Sequence, residues 1–83
     1  MTTMNKDEIA DGVCEIVGEL IGKEPSHIDR TGSLIEQGLD SLEVTELVCQ
    51  IEDRFGIRFE QTVVWDNDSI DRLSDTIFTQ FNQ

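Results

Sequence analysis

The sequence predicts an all-α fold: a small bundle of three main helices plus one short helix, with a long loop between the first and second helices. Three observations predict it. Apolar residues recur at helical spacing in three separate stretches. No stretch sustains the two-residue alternation of a sheet. The only proline lies between the first two helical stretches. At 83 residues the chain is expected to form one domain, 1–83, with a modest core and marginal stability.

The first helix is the clearest. Ile9, Val13, Ile16, Val17, Leu20 and Ile21 fall on one face, which predicts a helix over 6–21. Asn5 suits the N-cap, Glu8 follows three residues later as a capping-box partner, and Gly22 suits the stop. The segment "KEPSHIDRTGSLIEQG", 23–38, has no sustained period and reads as a long loop pinned by Ile28, Leu34 and Ile35. Loops this long in a compact domain are often functional. The second helix is predicted over 41–55, with Gly56 as its C-cap residue and Ile57 as the accompanying apolar contact. At about 100° per residue, Val44, Leu47, Val48, Ile51 and Phe55 share one arc, while Leu42, Glu46, Cys49 and Asp53 lie opposite. Val63, Val64 and Trp65 suggest a short helical turn packed on the core. The last helix opens at Asp68 or Ser69, either of which can cap it, and shows Ile70, Leu73, Ile77, Phe78 and Phe81 on its apolar face.

The formal net charge is -12, from 18 acidic and 6 basic residues. That repels nucleic acid and anionic membranes, and it attracts proteins with basic patches. Cys14 and Cys49 form no CxxC and no cluster with the single His27, so the ligand count excludes a zinc site. They read as two free thiols of a reducing compartment. No apolar leader and no bilayer-length run is visible, and a cytoplasmic location is expected. No Ser-His-Asp or Cys-His arrangement can be assembled around His27, so the chain is expected not to be an enzyme. The acidic stretch "DRTGSLIEQGLD" fails the calcium-loop pattern, with Leu34 where a glycine is required and Asp40 where a bidentate glutamate is required.

The stretch "GLDSLEVTEL", 38–47, carries the strongest functional signal. Ser41 at a helix start is ordinarily a cap. Asp40 caps equally well, and with Asp40 as cap, Glu43 takes the capping-box position. The Ser41 hydroxyl is then free, at a helix N-terminus suited to a phosphate. Leu42 is either an ordinary exposed leucine or an apolar docking contact ringed by Glu43, Glu46, Glu52 and Asp53. The acids of this helix outnumber its one basic residue, Arg54. They read either as a solvated face or as a surface for basic partners.

"GLDSLEVTELVCQIEDRFGI" resembles the acyl carrier protein family around its D-S-L attachment motif, and the resemblance extends over most of the chain. It implies 4'-phosphopantetheine on Ser41, next to Asp40, transferred from coenzyme A by a separate phosphopantetheinyl transferase. The arm would hold acyl or aminoacyl groups as thioesters. The resemblance also implies that Asp40, Leu42, Glu46, Glu52 and Asp53 meet a loading enzyme and a downstream synthase or transferase through their basic docking patches, and Glu43 and Cys49 are expected on the same partner face. Two departures bear on the pathway. Cys49 stands where many carriers have a larger apolar residue. "RFEQTVVWDN" has no proline and contains Trp65, unlike the usual fatty-acid carriers. The expectation is a stand-alone, monomeric carrier of a specialised polyketide, nonribosomal, aminoacyl or modified fatty acyl pathway. A general fatty-acid carrier, an acidic helical interaction module without a prosthetic group and, more distantly, a calcium-binding protein remain the alternatives.

Overall fold

A computed structural model of the chain describes residues 5–81. Four α-helices appear in the order α1 (Lys6–Ile21), α2 (Ser41–Phe55), α3 (Gln61–Asp66) and α4 (Ile70–Phe81), and a 3₁₀ turn, Pro25–His27, interrupts the first loop. Among the described residues there is no strand. None of these helices is long and apolar enough to cross a membrane.

Local chemistry sets the ends of α1 and α2. The Asn5 side chain accepts from the Glu8 N–H at 2.8 Å, and the Glu8 carboxylate accepts from the Asn5 N–H at 3.1 Å. Each helix ends at a glycine in the left-handed region, Gly22 (φ 73°) and Gly56 (φ 66°), where a side chain would be strained. The buried faces follow the helical period. Ile9, Val13, Ile16 and Val17 of α1 meet Val44, Leu47 and Ile51 of α2 and Ile70, Leu73 and Ile77 of α4 in one cluster. The closest helix pairs are α1 with α4, α1 with α2, and α2 with α3. Lys6 pairs with Asp75, Arg30 with Asp11, and Arg54 with Glu15 at 3.0 Å. All three pairs are substantially exposed and solvent-screened, so they add little to stability.

The first loop is more ordered than its sequence predicts. The Asp29 N–H donates to Gln37 Oε1 at 2.8 Å, and Gln37 Nε2 donates back to the Asp29 carbonyl at 3.0 Å. One side-chain amide thus clasps the loop across eight residues. Ile28 and Leu34 are buried as expected and Ile35 is half-buried, and Leu39 is a further anchor at 1% exposure.

One expectation needs correction, and one open alternative is resolved. Trp65 does not pack into the core: Val64 is fully buried, whereas Trp65 is 48% exposed. A helix of six residues has one buried stripe, and the position next to Val64 turns about 100° away from it. Of the two capping choices for α4, Ser69 does the capping, its hydroxyl accepting from the Arg72 N–H at 3.2 Å. Asp68 is drawn elsewhere by the tertiary fold.

Candidate functional site

Ser41 is the first residue of α2 and is exposed. The residues around it do its capping work. The Asp40 side chain accepts from the Glu43 N–H at 2.8 Å, and the Glu43 carboxylate accepts from the Asp40 N–H at 3.1 Å. Both carboxylates face local amides, and the Ser41 hydroxyl makes no hydrogen bond among the described residues. An unengaged hydroxyl where the helix dipole and first N–H groups favour an anion fits a phosphodiester.

Two connections hold this end of α2 against its neighbours. The Thr45 hydroxyl donates to the Ser41 carbonyl at 3.3 Å and accepts from Gln61 Nε2 of α3 at 2.8 Å. On the other side, Leu39 is buried directly before Asp40, and its N–H donates to the Leu34 carbonyl at 3.1 Å.

Leu42 is 81% exposed, as its helical phase requires. Glu46, Cys49 and Asp53 lie exposed along the same face, and Glu46 accepts from Gln50 Nε2 at 3.4 Å. Glu43 and Glu52 differ from these. Glu43 is half-buried in the capping box. Glu52 is half-buried, and its carboxylate accepts from the Phe59 N–H at 3.0 Å, which ties the segment after α2 back onto the helix. Both therefore have structural tasks, which a helical wheel does not reveal. His27 is exposed on the 3₁₀ turn, Cys14 is buried in α1, and Cys49 is exposed.

A protein-family model for the phosphopantetheine attachment site matches residues 11–77, a span that includes both the capped Ser41 and the acidic face behind it. The chain belongs to this carrier family. It is 45% identical to an acyl carrier protein of Exiguobacterium sibiricum over 58 residues, 69% of this chain and 73% of that one. It is 36% identical over 56 residues to the meromycolate extension acyl carrier protein of Mycobacterium tuberculosis, covering 66% of this chain and 49% of that one. The chain therefore spans about half the length of the meromycolate relatives it matches. Its fold is that of a free-standing peptidyl carrier protein from a secondary metabolic pathway of Acinetobacter baumannii. The TM-score is 0.86 at 24% identity, over 90% of this chain and 94% of that one. Carriers of this family hold 4'-phosphopantetheine covalently, are generally non-catalytic and work with synthase and transferase partners.

Sequence reasoning missed one further contributor near the site. The Asp68 carboxylate accepts hydrogen bonds from the turn that leads to Ser41. No sequence signal distinguishes it from an ordinary helix cap.

Proposed function

We propose that Ser41 is the attachment residue and that the chain delivers acyl or aminoacyl groups to partner enzymes. The observation that carries this reading is the Asp40–Glu43 capping box, which leaves the neighbouring Ser41 hydroxyl exposed and free at the helix start. When bound, phosphopantetheine supplies a terminal thiol that carries the cargo as a thioester. The chain's own residues do the rest. Asp40 and Glu43 set the helix start. Leu42, Glu46, Cys49 and Asp53 present one exposed apolar and acidic surface to basic patches on a transferase, a loading enzyme and a downstream synthase. Glu43 and Glu52 add charge to that surface from half-buried positions.

Residues 1–83 act as a single, monomeric, cytoplasmic carrier unit in this reading. The pathway is a specialised one rather than general fatty-acid synthesis. The proline-free segment after α2, with its half-exposed Trp65, favours that choice. Cargo lies partly between α2 and α4, which are not among the closely packed helix pairs. Loading a long acyl chain should therefore shift amide signals of Leu47, Ile51 and Leu73. Unchanged shifts would mean a fully exposed cargo.

The test of attachment is intact mass after incubation with coenzyme A, magnesium and a broad-specificity phosphopantetheinyl transferase. The native chain should gain one phosphopantetheine and Ser41→Ala none. A folded native chain that gains nothing across several transferases would instead fit an acidic interaction module.

A further inference from the structure

We propose that Asp68 is a positioning residue for prosthetic-group attachment: its carboxylate holds the turn that sets where the N-terminus of α2 sits. This rests on reading Ser41 as the attachment residue. Asp68 lies in the junction between α3 and α4, far along the chain from the turn it binds. Its Oδ1 accepts from the Leu34 N–H at 3.0 Å and the Ile35 N–H at 3.3 Å, and its Oδ2 accepts from the Ser33 hydroxyl. Its backbone carbonyl also accepts from the Leu34 N–H, at 3.3 Å.

The turn itself explains why an outside acceptor is needed. Gln37, Gly38 and Leu39 donate their N–H groups to the Ser33, Ile35 and Leu34 carbonyls, all at 3.1 Å. The Glu36 N–H donates to Ser33 Oγ at 3.2 Å. The Leu34 and Ile35 N–H groups come first in the turn and have no carbonyl behind them, like the opening amides of a helix. Asp68 does for them what an N-cap does, but from 34 residues away. A charged acceptor on such amides makes stronger hydrogen bonds than a neutral one. Buried Leu34 and Leu39 carry this restraint to Asp40, and the Asp71 N–H adds a second tie, to the Arg30 carbonyl at 3.1 Å.

In the attachment step the Ser41 Oγ forms a bond to the pantetheine-side phosphorus of coenzyme A. The pyrophosphate P–O bond breaks, adenosine 3',5'-bisphosphate leaves, and the hydroxyl proton passes to a base on the transferase. Asp68 acts through the turn rather than at the hydroxyl. The capping box keeps Ser41 locally in shape without it. What falls in its absence is the fraction of chains whose turn and helix start are assembled together for docking, and a smaller competent fraction weakens apparent affinity.

The experiment measures kcat and KM for carrier modification by one transferase, using the full chain, coenzyme A and magnesium. The variants are Asp68→Ala, Asp68→Asn, Ser33→Ala, Ser41→Ala as the attachment control and, as a destabilised core control, Ile9→Val. Asp68→Ala should raise KM while kcat holds, lowering kcat/KM by about tenfold, equivalent to about 1.4 kcal/mol. Hydrogen exchange should accelerate at the Leu34 and Ile35 amides and not at Val44 or Leu47. Asp68→Asn keeps an Oδ1 acceptor and should restore most of the loss. Ser33→Ala, which leaves the carboxylate in place, should show a smaller rise in KM and serves if Asp68→Ala does not fold. A native kcat/KM in Asp68→Ala, or an equal KM rise in Ile9→Val, overturns the positioning role while Ser41 stands. Modification of Ser41→Ala, or none of the native chain, overturns the Ser41 reading and the positioning role with it.

Discussion

Leu42 and Leu47 are the same residue type on one helix, one 81% exposed and the other fully buried, so truncating each to alanine separates docking from folding. Burying a leucine side chain completely contributes about 1.5–3 kcal/mol. Leu42 withdraws only about a fifth of its surface from water, so Leu42→Ala removes about 0.4 kcal/mol of burial. Alanine's slightly better helix propensity offsets part of that. Leu47→Ala loses the whole transfer term and leaves a cavity, at a cost of about 2–5 kcal/mol. For a domain of this size about 1 kcal/mol moves the melting temperature by about 4–8 °C. Leu42→Ala should therefore melt within about 3 °C of the native chain, and Leu47→Ala at least about 8 °C lower. Calorimetry on the apo protein reads this difference. The functional readout is the transferase rate, which Leu42→Ala should lower severalfold through KM. A Leu42→Ala variant that melts like Leu47→Ala would refute the helix phase. One that melts normally and is modified at the native rate would refute the docking role.

Three further outcomes are expected. Gly18→Ala should destabilise the fold by about 1–2 kcal/mol although alanine is the better helix former, because a Cβ there would sit 2.6 Å from the Lys23 carbonyl oxygen; a higher melting temperature would contradict this packing. Cys49 should react quickly with a thiol reagent and Cys14 only on unfolding, since burial pushes the Cys14 thiol above its ordinary value of 9.0. A raised folded-state pKa contributes stability below the unfolded value that is lost as pH rises through the folded one, so stability should decline in alkali above about pH 9, and Cys14→Ala should flatten that decline. Finally, a net charge of -12 makes the chain repel itself, so moderate salt should raise the melting temperature, and an unchanged value would count against this.

Much of the molecule was legible because helices obey local rules. The spacing of Ile9, Val13, Ile16 and Val17 depends only on the helical period, and so does the outward phase of Leu42. Both capping boxes join residues three apart, so Asn5–Glu8 and Asp40–Glu43 could be read directly and agree with the structure. The pair at Asp40 matters most, because it frees the Ser41 hydroxyl.

The rest depended on which distant elements the fold brings together. Leu39 becomes a core anchor only because the turn before it packs against the bundle. Glu52, on the wheel one more acid of a charged face, spends its carboxylate on the Phe59 N–H once the chain doubles back. Asp68 and Ser69 were equal caps in sequence, and the choice between them fell to amides 33 and 34 residues upstream of Asp68. Helical period and the capping boxes at Asn5 and Asp40 are short-range, set by a few bonded neighbours, and the sequence alone determined them. A carboxylate's choice among several orphaned amides is settled by which of them lies within about 3 Å, and only tertiary packing decides that distance.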